Sequence, residues 1–104
     1  MSQRCNRCEP LSPEVLRAAD VLGRRWALAL LCASHSGAVR FNEFRQALRE
    51  VQPRTLAQRL ADLEDAGLLE RRVIDARPPY VEYRLTPHGR RLNAVVDVLR
   101  RWPS

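Results

Sequence analysis

Apolar residues along the chain follow a helical spacing over 12–66, alternate over 69–85, and return to the helical spacing from 86 onward. Residues 1–11 are polar and contain proline, and are expected to form a loosely ordered arm ahead of one domain over 12–104. Ser12-Pro13 reads as an N-cap followed by proline at the first helical position. Val15, Leu16, Ala19 and Leu22 then line one face as far as Gly23. A second helix, "RRWALALLCASHS", is apolar on most sides and stops at Gly37, the pattern of the most buried helix in a small domain.

"AVRF" reads as a short extended piece, and Asn42 as the cap of a third helix with Phe44, Ala47 and Leu48 facing inward. Pro53 opens a fourth helix whose Leu56, Leu60 and Leu63 fall on one stripe, and Gly67 supplies its left-handed stop. "LERRVID" and "YVEYRLT" alternate like strands, the second with Val81, Tyr83 and Leu85 on one face. The prolines of "ARPP" between them suit a loop, not a tight two-residue turn. Thr86-Pro87 repeats the cap-plus-proline signal, and a last helix presents Leu92, Val95, Val96, Leu99 and Trp102. The order is helix, helix, short strand, helix, helix, hairpin, helix. That is a mainly α (α+β) winged helix-turn-helix with a two-stranded wing and terminal helices available for dimerisation.

Composition narrows the partner. The 104 residues suffice for one hydrophobic core. A hydrophobic fraction of 45% with 29% charged residues is that of a globular chain. Eighteen basic residues against 12 acidic ones give +6, and all 18 are arginine. Guanidinium groups make planar, bidentate contacts to phosphate and guanine that an ammonium cannot, so a basic domain of this size suits a polyanion. The N-terminus has no apolar signal region, and "WALALLCA" is too short to span a bilayer, so no membrane role and a cytoplasmic location are expected.

The polar face of the fourth helix is asymmetric. Arg54, Thr55, Gln58 and Arg59 gather on its first exposed turns, while Asp62, Glu64 and Asp65 sit toward the far end. In a helix-turn-helix the second helix enters the major groove and meets base edges with its N-terminal residues. There arginine suits guanine, glutamine suits adenine, and a threonine methyl suits the thymine methyl. Arg71, Arg72 and the wing-tip Arg77 would reach the backbone or minor groove alongside, and Arg40 and Asn42 at the front of the third helix join the set. Exposed helices also carry Arg and Gln for solubility alone. What favours double-stranded DNA is the coincidence of a proline-started helix, polar residues at one end, an arginine-bearing wing and positive net charge. No catalytic constellation and no phosphate-cradling glycine motif is present. The Ser and His of "SHS" are sequence neighbours only, so neither an enzyme nor a cofactor is expected.

"LGRRWALALL", "RFNEF", "PRTLAQRLADLEDAGLLERRV" and "PPYVEYRLTPHGRRL" resemble the HxlR family of bacterial winged-helix transcription regulators, relatives of the MarR type. The resemblance runs from about Val15 to Trp102, with Gly23, Trp26, the Arg40-Phe41 pair, Leu63-Glu64, Gly67-Leu68, "VEYRLT" and Gly89 as its most specific elements. It implies a homodimer joined through the terminal helices, reading a pseudo-palindrome. The stripe Leu92, Val95, Val96, Leu99 and Trp102, with Val15 and Leu16 of the first helix, agrees with such an interface, although part of it must cover the chain's own core. The family's pattern often has a regulatory cysteine thirteen residues ahead of the tryptophan, and here that position is Pro13.

"CNRC" gives Cys5 and Cys8 the C-x-x-C spacing, and Cys32 with His35 gives C-x-x-H. An inert arm ranks first, redox-responsive Cys5 and Cys8 second, and a zinc set of Cys5, Cys8, Cys32 and His35 last, because a C-x-x-C without a second pair is a weak signal. The sequence thus points to a dimeric regulator of specific DNA whose affinity is set by a small-molecule effector or a redox signal. The competing reading is a winged-helix protein-interaction module with only non-specific affinity for DNA.

Overall fold

A computed structural model of the protein describes residues 8–103, and the expected arm residues 1–7, Cys5 among them, lie outside it. Six helical segments and one hairpin follow in the order α1 (Pro13–Leu22), α2 (Ala27–His35), α3 (Phe41–Ala47), α4 (Pro53–Asp65), β1 (Leu69–Ile74), β2 (Tyr80–Leu85), α5 (Pro87–Arg90) and α6 (Asn93–Arg100). The fold is the winged helix-turn-helix expected from the apolar spacing. Helix α2 lies at its centre and packs against α1, α3, α4, α6 and β2. Leu30, Leu31, Phe44, Leu56, Leu60, Leu63 and Leu69 form the fully buried core. The Ser12 hydroxyl caps α1 by accepting from the Val15 amide at 3.2 Å.

Four local expectations are corrected. Helix α2 starts at Ala27, not Arg24, because residues 24–26 form a turn in which Trp26 adopts φ 76. "AVRF" is not a strand. Only the Tyr83 amide donates to the Val39 carbonyl, at 2.7 Å, because the next residue, Arg40, already caps α3. Asn42 lies inside α3 and is not its cap. Arg40 holds the cap position, and the Glu43 carboxylate reaches back to accept from the Val39 and Arg40 amides at 2.8 and 2.9 Å. The terminal helix is broken at Arg91 and Leu92, where the amides bond three residues back to His88 and Gly89.

β1 and β2 are antiparallel, with Leu69 opposite Leu85, Arg71 opposite Tyr83 and Arg72 opposite Glu82. The wing is tied to the helices through one knot. Gly67, at φ 77, ends α4; the Thr86 hydroxyl donates to the Gly67 carbonyl, and the Thr86 Oγ1 itself accepts from the Gly89 amide at 3.0 Å. Gly89 lies so close to β1 that a Cβ there would meet the Leu68 carbonyl oxygen at 2.1 Å. Gly89→Ala must therefore displace backbone, and a loss of about 1–3 kcal/mol is expected in urea unfolding, as for other overpacked sites. An unchanged midpoint would show that α5 does not depend on this approach.

Candidate nucleic-acid interface

The stripe of α4 fixes which of its side chains face out. Leu56, Leu60 and Leu63 have no exposed surface, so the helix is locked about its own axis. Arg54 and Gln58 are exposed on the opposite side, and Thr55 and Arg59 are half-buried at the flank of the stripe. Pro53 sits in the first turn, and Gln52, in extended backbone, caps the helix without a side-chain hydrogen bond. The leading amides of α4 thus remain open toward an anion.

Gln58 and Arg59 do not stand free. The Gln58 Nε2 donates to Asp62 Oδ1 at 3.0 Å. Arg59 donates through Nη1 to Asp62 Oδ2 at 3.0 Å and through Nε to the Arg25 carbonyl at 2.9 Å. Arg24 completes the group, with Nη1 3.0 Å from Asp62 Oδ1 and Nη2 3.2 Å from Asp20. The sequence reading counted Arg59 among free base readers, whereas two faces of its guanidinium are bound within the protein. It also grouped Asp62 with the other acids toward the far end of the helix, whereas this carboxylate is 8% exposed and gathers three side chains. The spacings from Gln58 and Arg59 to Asp62, four and three residues along a helix, were legible. The part played by Arg24 and Arg25 was not, since it needs the fold.

The remaining expected residues lie at the start of α3 and on the wing. Among the described residues, Arg40, Arg54, Arg71 and Arg77 form no ion pair. Arg40 stacks on the Tyr80 ring at 3.9 Å, which holds its guanidinium against the wing at the loop end of the hairpin. Asn42 is exposed two residues further on, and Arg71 and Arg77 are exposed on the wing. Arg72 lies 3.3 Å from Glu70 with both half exposed, a pair too weakly held to keep it from phosphate.

The expected dimer face is partly corrected. Val96 is 2% exposed and belongs to the chain's own core, with Leu92 packed against it. Val15, Leu16, Val95 and Trp102 remain exposed, and Val98, which the sequence reading missed, is 61% exposed beside them. A cleft of about 440 Å³ opens between α1, the end of α4 and the α5–α6 bend, lined by Val21, Leu22, Leu68 and Leu92 with Arg17 and His88. Of the thiols, Cys8 is exposed and Cys32 half-buried. His35 faces the Gly89 carbonyl at 3.3 Å. No group of three metal-holding side chains occurs among the described residues. Nor, among those residues, is any helix long and apolar enough to cross a membrane.

The family model of the HxlR-like helix-turn-helix matches residues 21–104. The chain belongs to the HxlR family. It is a transcriptional regulator of the helix-turn-helix type, a class that acts by binding DNA. Among its relatives is the HTH-type regulator YvaP of Bacillus subtilis, 33% identical over 90% of this chain and 87% of its own length. YodB of B. subtilis is 32% identical over 88% and 82%. The chain spans only 65% of a related regulator from Methanothermobacter thermautotrophicus, to which it is 34% identical over 82% of its own length. Among solved structures, reduced YodB superposes with a TM-score of 0.78 at 31% identity, covering 89% of this chain and 91% of YodB. The redox regulator HypR in its oxidized form superposes at 0.78 and 37%, covering 86% and 92%. A MarR-family regulator from Enterococcus faecalis superposes at 0.75 and 30%, covering 94% and 90%.

The network around Asp62 sets an acid limit on the family fold here. Burial works to raise the Asp62 carboxyl, but the hydrogen bonds from Gln58 and Arg24, the Arg24 charge and the Arg59 bond outweigh it and hold it below its ordinary 3.8. The Val39 and Arg40 amides hold Glu43 below its ordinary 4.5. A depressed carboxyl stabilises the fold above its unfolded value, and that stability is lost as pH falls through the folded value. Urea midpoints should therefore hold steady from neutrality down to about pH 5 and decline below about pH 4, less steeply in Asp62→Asn. Equal slopes in the two proteins would exclude Asp62 as a source of the decline.

Proposed function

We propose that the protein is a homodimeric regulator that reads a pseudo-palindromic operator with α4 of each copy in the major groove and the wing on the adjoining backbone or minor groove. The observation that carries this reading is the outward face of α4, with Arg54 and Gln58 exposed opposite a fully buried leucine stripe and Thr55 half-buried at its flank. Arg40, Asn42, Arg71, Arg72 and Arg77 flank that face and supply phosphate contacts, and Arg59 braces it. A two-fold axis would set the two reading heads about 34 Å apart, or a multiple of that, to match successive major grooves. The interface is assigned to Val15 and Leu16 of α1 with Val95, Val98 and Trp102 of α6, apolar side chains left in solvent by the single chain.

The affinity for DNA is set by a small molecule or a redox signal. The apolar cleft beside α1 supports the first. The likeness to the redox regulator HypR supports the second, with Cys5 and Cys8 as its thiols, since Pro13 occupies the position where the family's pattern has cysteine. The protein acts by binding and not by catalysis, and works in the cytoplasm.

Selection from a random duplex pool should return a palindrome. Gln58→Ala should then cost about 1–3 kcal/mol at one base pair in each half-site, while Arg77→Ala weakens all sequences alike. Uniform losses for both would favour a protein-interaction module that binds DNA without reading it. Val98→Asp, at an exposed position, should keep the helical circular-dichroism signature of the parent at low temperature and shift sedimentation from dimer to monomer. A dimer that survives Val98→Asp and Trp102→Ala together would place the interface elsewhere.

A further inference from the structure

The Asp62 carboxylate lies beneath the reading face, almost wholly buried, and touches Gln58, Arg59 and Arg24 at 3.0 Å each. A carboxylate in contact with two guanidinium groups is ionised and can only accept hydrogen bonds. It therefore dictates which end of the Gln58 amide faces it. The nitrogen must turn inward, and Oε1 is left toward solvent with one remaining N–H. A glutamine without such a partner rotates its amide freely and offers a donor or an acceptor with equal ease. This one is fixed as an acceptor first.

We propose that Asp62 is the positioning residue of the reading face, setting the base preference of Gln58 by locking its amide with the oxygen outward. The inference rests on the proposed placement of α4 in the major groove. In that groove adenine and cytosine present amino donors, whereas guanine and thymine present only acceptors at the matching edge. An outward Oε1 selects the amino-bearing bases. The spare N–H adds adenine N7, so adenine ranks above cytosine, and guanine and thymine are rejected.

The two arginines make this arrangement tolerable beside a polyanion. They offset the Asp62 charge, and with Asp20 on Arg24 the group is neutral, so the carboxylate adds no net repulsion of phosphate. They also anchor the cluster to the turn ahead of α2. There Arg59 Nε holds the Arg25 carbonyl, and the next residue, Trp26, keeps a left-handed backbone at φ 76 with Arg25 stacked 5.0 Å from its ring centre. A bulky side chain in that region carries strain that only well-determined surroundings maintain. The turn is thus a rigid abutment for the reading head.

The test compares base selection by the parent, Gln58→Ala and Asp62→Asn on random duplex pools, with affinity for a non-specific duplex measured in parallel. In the parent, the position that becomes indifferent in Gln58→Ala should favour adenine over guanine and thymine by about tenfold or more. In Asp62→Asn the asparagine accepts either end of the amide, and that preference should fall to within about threefold. Non-specific affinity should stay level or rise, because a negative charge has gone. General damage to the fold would lower both affinities. Unchanged preference in Asp62→Asn, or a parallel loss of both affinities, overturns the proposal. If Asp62→Asn does not fold, the parent bound to its selected duplex decides. Gln58 Nε2 on Asp62 with Oε1 on a base amino group supports the proposal, and an amide parted from Asp62 or turned about overturns it. A parent with no base preference at all would sink the operator-reading role itself, an outcome separate from the two failures above.

Discussion

The seating of Leu56, Leu60 and Leu63 is the constraint on which the rest of the structure depends. Each is fully buried, and each contributes about 1.5–3 kcal/mol relative to an exposed position. Three such anchors on one stripe leave α4 a single orientation about its axis. The polar half of the helix is thereby committed to solvent, and its first turns present arginine, threonine and glutamine. Function here follows from what the core excludes. The same core receives Leu68 and Leu69 just past Gly67, so the wing begins at a fixed place beside the reading helix. Through Thr86 and Gly89 it is tied back to the terminal helices.

A second organising element joins the two ends of the function. Helix α1 buries no side chain fully in the single chain, with only Val21 and Leu22 half-buried against the core, yet it runs directly into the turn that carries Arg24, Arg25 and Trp26. Those residues hold Asp62 and Arg59 of α4. In the proposed dimer, the surface that sets the distance between copies is therefore coupled to the helix that reads DNA through charge-assisted hydrogen bonds across one short, strained turn. The apolar cleft between α1 and the α5–α6 bend adjoins the same helix. An occupant there would press on α1 and, through the turn, on the reading head.

The fold was legible where local chemistry and long-range packing agree. Proline after serine or threonine, glycine at φ 77 after α4, and the switch from helical to alternating spacing placed most elements. It was less legible where a distant group decides. Asn42 is a good cap in isolation, but Glu43 satisfies the Val39 and Arg40 amides and starts α3 earlier. Val96 reads like its neighbours on an apolar stripe, but the bend at Arg91 and Leu92 turns it into the chain's own core. Of the proposed site, the outward placement of Arg54 and Gln58 followed from spacing alone. The bracing of Arg59 did not, because the Arg25 carbonyl that receives it lies 34 positions away.

The most direct measurement is a methylation-protection footprint on the selected duplex, which reports access to guanine N7 in the major groove. The account requires protection in two patches one helical turn apart, or a multiple of it, on one face of the duplex, with protection lost at one guanine per patch in Arg54→Ala. Full binding with every guanine N7 still open to methylation would contradict it.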